Sequence, residues 1–378
     1  MTPNARFGAA RNRRVLVVGA KFGEIYLNAF LEARPGFELA GLLANGSPRA
    51  RQLAQAYGIA LYTSLDEVPP DIDIACVVVR SAVVGGMGTV LAQAMLERGA
   101  HVVQEHPLHP DDIVRLQRLA SEAGRIYWVN GFYAHTAAGR CWIEQARRVA
   151  LALGNAPARF AHLATSRQLL YSSLDLLLQA CGTTDATVEP IPDDNPDFQL
   201  LSVGLPGCRA LLRLQTWLDP DDADLHSLVM HQLTLGWPSG YLSLDASYGP
   251  VVWTSSPYDP RHRDNHHSLY RAGSAERPYL GWPPAAVLHA APARWGDAFE
   301  IDAPAGVARV LHLLARHLDG AAVPAAFDAT YQLALARLWQ RALQCAGPAR
   351  ERQVAAPPAL DPRTLAAPSS SPDTVNAT

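Results

Sequence analysis

The sequence predicts an α/β protein with a doubly wound parallel sheet in its first third, followed by an α+β domain built on a large, mostly antiparallel sheet. Two patterns predict this. From Arg14 to about Asn130, short apolar runs alternate with segments of helical period, the mark of βαβ units and of a parallel sheet buried on both faces. Beyond about Leu153 the runs lengthen and are broken by turn residues, as in "LHSLVMHQLTLGW" and "GYLSLDASY", the mark of hairpins.

In order, strands are expected at residues 15–18, 38–43, 74–79, 101–104 and 126–129, with helices at 24–33, 48–57, 86–98 and 110–123. A helix at 137–153 leads into the second domain, where Trp237-Pro238-Ser239-Gly240 fits a hairpin connection. Two amphipathic helices are expected at 304–318 and 329–346; the antiparallel sheet needs one face covered, and these helices, or a second subunit, could cover it. The expected boundaries are a flexible start at 1–13, a dinucleotide-binding domain at 14–134, a substrate and oligomerisation domain at 135–347, and a Pro-, Ala- and Ser-rich disordered tail at 348–378.

A formal charge of −3 without a sustained Lys/Arg stripe gives no electrostatic footprint for nucleic acid. Five cysteines, far apart and without a C-x-x-C pair, argue against a disulfide framework and a structural zinc site, so a reducing cytoplasm is expected. The basic opening "NARFGAARNRR" is followed only by "VLVVGA", too short for an export signal, and no apolar run is long enough to span a membrane.

The stretch "VLVVGAKFGEIYLNAF" reads as strand, phosphate-binding turn and helix, yet it lacks G-x-G-x-x-G: Lys21 stands at the second glycine and Glu24 at the third. It aligns after a one-residue contraction, with Gly23 as the last glycine. Gly19, Ala20, Lys21, Phe22 and Gly23 are then the expected cofactor contacts of a Rossmann domain, because a shortened turn still brings backbone N–H groups to a pyrophosphate. The second strand ends at Ala44 and Asn45 with no carboxylate for a ribose 2′-hydroxyl. Ser47, Arg49 and Arg51 follow, and this donor set favours the 2′-phosphate of NADPH/NADP+ over NAD(H).

At the end of a later parallel strand, Glu105-His106-Pro107 in "HVVQEHPLHPDD" resembles the E-K-P signature of the glucose-fructose oxidoreductase and inositol dehydrogenase superfamily, whose fold has the same two-domain organisation. His106 occupies the lysine position. Sugar dehydrogenases of that superfamily carry a pattern like H-D-L-D-L-L, whereas "SSLDLLLQACG" has Ser172 and Ser173 and retains only Asp175. Oxidising an alcohol needs a base for the hydroxyl proton, so these replacements count against a sugar or polyol dehydrogenase.

The segments "VVGAKFGEIYLNAF", "GLLANGSPRARQLA", "QEHPLHPDD", "NGFYAH" and "GYLSLDASYGPVVW" together resemble a narrower group, the thiazolinyl imine reductases of pyochelin- and yersiniabactin-type siderophore biosynthesis. That resemblance implies NADPH-dependent reduction of a thiazoline C=N to a thiazolidine, on an intermediate held as a thioester by a nonribosomal peptide synthetase carrier domain, in a homodimer. It places the proton-donor candidates on His106 and Tyr133, with Glu105 on the cofactor side. Hydride attack leaves negative charge on nitrogen, and imidazole is matched to neutral pH as a donor. Tyrosine needs a basic partner or a tuned environment, so the order of the two stays open. His109 and His135 lie near them in sequence.

The alternatives are an NADP-dependent sugar/polyol or other carbonyl oxidoreductase of the same superfamily and a non-catalytic NADP(H)-binding regulator. The clusters "RHRDNHH" at 261–267 and "LDPDDADLH" have no metal-ligand spacing and are expected as loops.

Overall fold

The parallel sheet follows from strands too apolar to face water. β1 (Arg13–Val18), β2 (Phe37–Leu43), β3 (Leu61–Tyr62), β4 (Ile74–Val77), β5 (His101–Glu105) and β6 (Tyr127–Asn130) pair in the order β3-β2-β1-β4-β5-β6. The computed structural model describes residues 11–221, 227–258 and 280–365, so the histidine-rich segment 261–267 lies outside the described residues. β4 and β6 are buried along their whole length. The strand order reverses between β1 and β4, the switch point where such sheets bind ligands.

The crossover helices are α1 (Gly23–Asn28), α2 (Pro48–Tyr57), α3 (Gly88–Glu97) and α4 (Pro110–Glu122). α1 is shorter than its apolar pattern predicts. Phe30 and Leu31 tighten onto the carbonyls of Leu27 and Asn28, and the Arg34 side chain takes the Ala29 carbonyl at 2.7 Å. β3, two residues long, has too little pattern to be read from sequence.

The second sheet runs β15-β14-β13-β12-β7-β10-β9-β8, with β7 (Phe160–Thr165), β8 (Thr187–Ile191), β9 (Phe198–Leu205), β10 (Cys208–Gln215), β12 (His231–Trp237), β13 (Gly240–Leu244), β14 (Val251–Ser255) and β15 (Ala285–His289). Only the central β7·β10 pair is parallel. Alternation sends Leu163, Leu212, Leu233, Leu235 and Leu242 inward under α5 (Ala137–Ala152), α6 (Leu170–Cys181) and α9 (Ala329–Ala346). Phe160 lies on the opposite face over Gly236, where a Cβ would sit 2.0 Å from its ring.

The two closing helices divide the work differently from the expectation. α9 covers β8 and β9, but α8 (Ala303–Leu318), reached through α7 (Trp295–Asp297) and a π-helical turn, packs on α1 and the turn at Tyr133–His135 instead of on the antiparallel sheet. Gly306 allows this, since a Cβ there would already touch the Thr136 backbone at 3.4 Å.

The tail expected to be disordered from 348 begins as structure. β16 (Arg350–Glu351) pairs with β11 (Trp217–Leu218), and Arg352 lies over the Trp217 ring while pairing with Asp197 at 2.7 Å. Its Pro-rich composition hid these two anchors, a backbone pair and one cation on an aromatic face.

Gln332 of α9 fastens the parallel sheet to the second domain. Its side chain accepts from the Val129 N–H at 3.2 Å and donates to the Val129 carbonyl at 2.9 Å, acting as one more strand residue on the edge of β6. Gln332→Leu keeps the volume and orphans both buried groups, at roughly 1–3 kcal/mol each. Urea unfolding is expected to show that loss; an unchanged midpoint would mean that water or a neighbour replaces the amide.

Candidate active site

The nucleotide turn is shaped by two glycines with different tasks. Gly19 has φ +115°, and a Cβ on it would lie 2.7 Å from the Val78 carbonyl, so only glycine lets the chain turn this close to β4. Gly23 approaches Val17, whose methyl would stand 3.3 Å from an added Cβ, the close helix–strand contact required of the last glycine in such a turn. Ala20 is half-buried beside them, Lys21 is exposed, and Phe22 sets its ring edge-on to Phe132 at 4.9 Å.

Beyond β2, Ser47 caps α2 by accepting from the Ala50 N–H at 3.3 Å. Arg49 reaches back to the turn, donating to the Ala20 carbonyl at 3.0 Å and pairing with Glu24. Arg51 is exposed, with a guanidinium nitrogen 3.9 Å from where a Gly46 Cβ would be. Glu24, at the position of the missing glycine, thus anchors an arginine from the next crossover. The β1 turn and the Gly46 bend, with Arg49 and Arg51 beside them and no carboxylate at the C-terminal end of β2, form a cradle that fits a dinucleotide.

At the ends of β5 and β6 a buried polar cluster forms. The Tyr26 hydroxyl donates to Glu105, and Asn130 Nδ2 reaches the Tyr26 oxygen at 2.6 Å and Glu105 Oε2 at 3.4 Å. His106 Nδ1 lies 3.0 Å from the Asn130 carbonyl and 3.0 Å from Glu105 Oε1. Only the carbonyl contact is aligned as a hydrogen bond, so Nδ1 carries a proton and Glu105 acts on it as a nearby charge. Burial opposes the imidazolium, but Glu105, the Asn130 carbonyl and Asp175 outweigh it and hold the His106 pKa above its ordinary value. The ring stacks on Tyr171 at 5.1 Å, which leaves Nε2 as the nitrogen for a reacting group.

Asn130 also makes the turn that carries Tyr133. Its Oδ1 accepts from the Phe132 N–H at 2.9 Å, and Tyr133 N–H closes on the Gly131 carbonyl at 2.8 Å. Phe132 at the centre has φ 57° and ψ −70°, a rare and strained γ-turn for a residue with a side chain. The turn sets Tyr133 against His231 of β12 at 4.4 Å and beside Tyr248, which hydrogen-bonds to it. Burial first, then Glu105, pushes the Tyr133 pKa above its usual value, so the phenol stays protonated.

Sequence reasoning missed Tyr26, Asn130, Tyr171, His231 and Tyr248. His231 stands beside Ser172, one of the two α6 serines where a histidine was expected: Nε2 lies 2.9 Å from Ser172, and Nδ1 lies 2.8 Å from Ser247, which is outside α6. Ser172 donates to the Leu169 carbonyl at 3.0 Å, so it accepts from Nε2–H, and Ser247 donates to Nδ1. Burial pushes the His231 pKa down to about 3, fixing it as neutral.

Asp175 is buried, bonded to Gln179 at 2.9 Å and to Tyr331 of α9 at 2.5 Å, and its other oxygen would clash with any Cβ on Gly131. It braces the turn. His135 is not in the cluster; it stacks on Phe327 at 5.0 Å, and burial pushes its pKa down to about 3. His109 caps α4.

With this geometry in view, the comparisons converge. Residues 13–131 match the profile of the oxidoreductase family with an NAD-binding Rossmann fold. Residues 156–254 match the thiazolinyl imine reductase Irp3-like C-terminal domain. No curated protein matches the chain.

Among solved structures it is similar to GenD2 from gentamicin A biosynthesis in complex with NAD, at 17% identity, over 92% of this chain and 97% of that one, with a TM-score of 0.61. It is similar to UDP-N-acetylglucosamine 3-dehydrogenase from Acidithiobacillus ferrooxidans at 15% identity, over 89% and 97%, with a TM-score of 0.60. A biliverdin reductase from Synechocystis in complex with biliverdin and NADP+ follows at 15%, over 88% and 98%, with a TM-score of 0.58. At these identities the likeness establishes the fold. Among the described residues no helix is long and apolar enough to cross a membrane.

The buried histidines set the acid limit of the fold. His135 and His231 have depressed folded pKa values, so their neutral forms are accommodated above about pH 6.5, and stability falls as pH drops from there toward 3. Each is expected to remove about 1.4 kcal/mol per pH unit in that window. His106 has the opposite sign: its contribution is full below about pH 6.5 and lost as pH rises through its raised folded pKa. Urea midpoints at pH 7 and pH 5 test this, and His231→Asn should flatten the acid slope.

Proposed function

We propose that the chain is an NADPH-dependent reductase of a thiazoline C=N, giving a thiazolidine. The observation that carries this reading is the division of roles between two histidines. His106, where sugar dehydrogenases have lysine, is held toward its protonated form, while His231 is neutral with both nitrogens engaged. The cluster therefore offers an acid for reducing C=N and lacks a free imidazole base for oxidising an alcohol.

When bound at the β1 turn, the dinucleotide supplies hydride. His106, fixed through Nδ1, gives the Nε2 proton to the substrate nitrogen as negative charge develops there. Tyr133, kept protonated, donates a hydrogen bond that orients the same nitrogen, and Tyr248 holds the Tyr133 hydroxyl in place. The closed packing of Phe22, Phe132 and Tyr133 excludes water from this point.

Arg49 and Arg51, with Ala44 in place of a carboxylate, support a preference for the 2′-phosphate. The uncovered face of the second sheet, with Phe160, Tyr241 and Val287 exposed, suits a second copy of the chain, and the substrate would arrive as a thioester on a peptide synthetase carrier domain in the cytoplasm.

Purified protein is expected to oxidise NADPH, and not NADH, in the presence of a thiazoline substrate. His106→Gln should lower kcat about 10²–10⁴-fold and Tyr133→Phe should lower it less, with NADPH affinity nearly intact in both. The wild-type rate should fall as pH rises through the raised His106 pKa; full rate in both variants removes the assignment. Arg51→Ala should weaken NADPH about tenfold, the size of one charge-assisted contact, without changing NADH. Equal losses for the two cofactors would place Arg51 away from the 2′-phosphate.

A further inference from the structure

A second cleft, of about 490 Å³, opens between the loops that follow β4 and β5 and the last turns of α9. Val83 and His109 line it from the parallel sheet, and Arg167, Trp339, Leu343 and Gln344 from the second domain. No carboxylate lines it.

Two donors at this cleft are incompletely satisfied. Arg167 spends one guanidinium nitrogen on the carbonyls of Ala346, Gly347 and Pro348, at 3.4, 2.8 and 3.3 Å, closing the C-terminus of α9. Its Nε is buried without a hydrogen bond, and among the described residues no acid pairs with it. Trp339, 3% exposed, has an equally buried and unpartnered indole N–H. A partly buried cation without a counter-charge is costly unless an acceptor offsets its lost hydration. Apolar walls from Val83, Leu343, Pro348 and the Trp339 ring surround these donors.

We propose that this cleft binds an organic anion, a carboxylate or phosphate carried on an apolar body, with the acid group meeting the Arg167 guanidinium and the apolar body lying on Leu343 and the Trp339 ring. The cleft communicates with the reaction centre by ring contact: Trp339 meets Tyr171 edge-on at 6.1 Å, and Tyr171 stacks on His106 at 5.1 Å. The anion is then either the distal end of the substrate or a separate small molecule. Binding itself does not depend on the proposed reaction.

Calorimetric titration of the full chain with benzoate and phenyl phosphate, against benzyl alcohol as the neutral control, tests the site. The anions are expected to bind at least tenfold more tightly than the alcohol. Arg167→Gln should remove that preference. Because Arg167 also closes a helix, Gln344→Glu provides a variant that leaves it in place: an exposed position gains a negative charge, and anion binding should fall at least tenfold with an unchanged melting temperature. Equal binding of acid and alcohol, absence of anion binding at 50 mM, or indifference to Gln344→Glu overturns the proposal. Competition of benzoate with the thiazoline substrate assigns the anion to the substrate, and binding without competition assigns it to a separate molecule; both keep the site.

Discussion

Glu105 is a carboxylate sealed where the parallel sheet meets the second domain, with 11% of its side chain exposed, and the rest of the site is arranged around its charge. A buried carboxylate is tolerated only where hydrogen bonds and cations offset the lost hydration. Tyr26 arrives from the helix after the nucleotide turn, Asn130 from the end of β6, and His106 from the next residue along the chain. Each partner belongs to a different element, so satisfying one charge fixes α1, β5 and β6 together. The same charge favours the imidazolium of His106 and disfavours the phenolates of Tyr26 and Tyr133. Burial first and this carboxylate second keep the two phenols protonated, while the same charge helps His106 hold its proton against burial.

The γ-turn at Phe132 is the mechanical counterpart of that electrostatic constraint. A positive φ at a phenylalanine costs about 1–3 kcal/mol and persists only where the surroundings over-determine it. Asn130 holds the turn from before, Gly131 lets Asp175 press against it, and the Phe22 and Tyr133 rings pack on both sides of Phe132. Asp175 in turn is fixed by Tyr331, on the helix whose Gln332 completes the edge of β6. Strain at one residue is thus supported by both domains, which explains how Tyr133 sits in contact with a strand of the second sheet although it belongs to the chain of the first.

The fold was largely legible because its strands announce themselves by burial: apolar runs on the parallel sheet and strict alternation on the other. What escaped was decided by single side chains. Helix α8 has the same amphipathic period as α9, and only the missing Cβ of Gly306 shows which surface it meets. His106, Tyr133 and the nucleotide turn stood in motifs, whereas Tyr26, Asn130 and Tyr248 look like ordinary interior residues until their partners are known. His231 left a trace. It occupies an inward position of a strand whose other inward residues are Leu233 and Leu235, and a polar group there demands partners. The Asn130-Gly131 dipeptide after a buried strand was a turn signal of the same kind.

The contrast between His106 and His231 shows why fold alone does not settle direction of chemistry. Both rings are buried, and burial by itself would make both neutral. They part because His106 sits beside a carboxylate and a carbonyl, while His231 sits between two hydroxyls that satisfy it without offering charge. Exchanging lysine for histidine beside Glu105 converts a permanently charged group into one that can release its proton near neutral pH. Exchanging the α6 histidine for Ser172 while supplying His231 from β12 fills the same volume with a group whose nitrogens are already engaged. The two changes are complementary: the first leaves a buried imidazole that its neighbours hold toward the protonated form, and the second leaves one that is neutral with both nitrogens engaged, on one and the same fold.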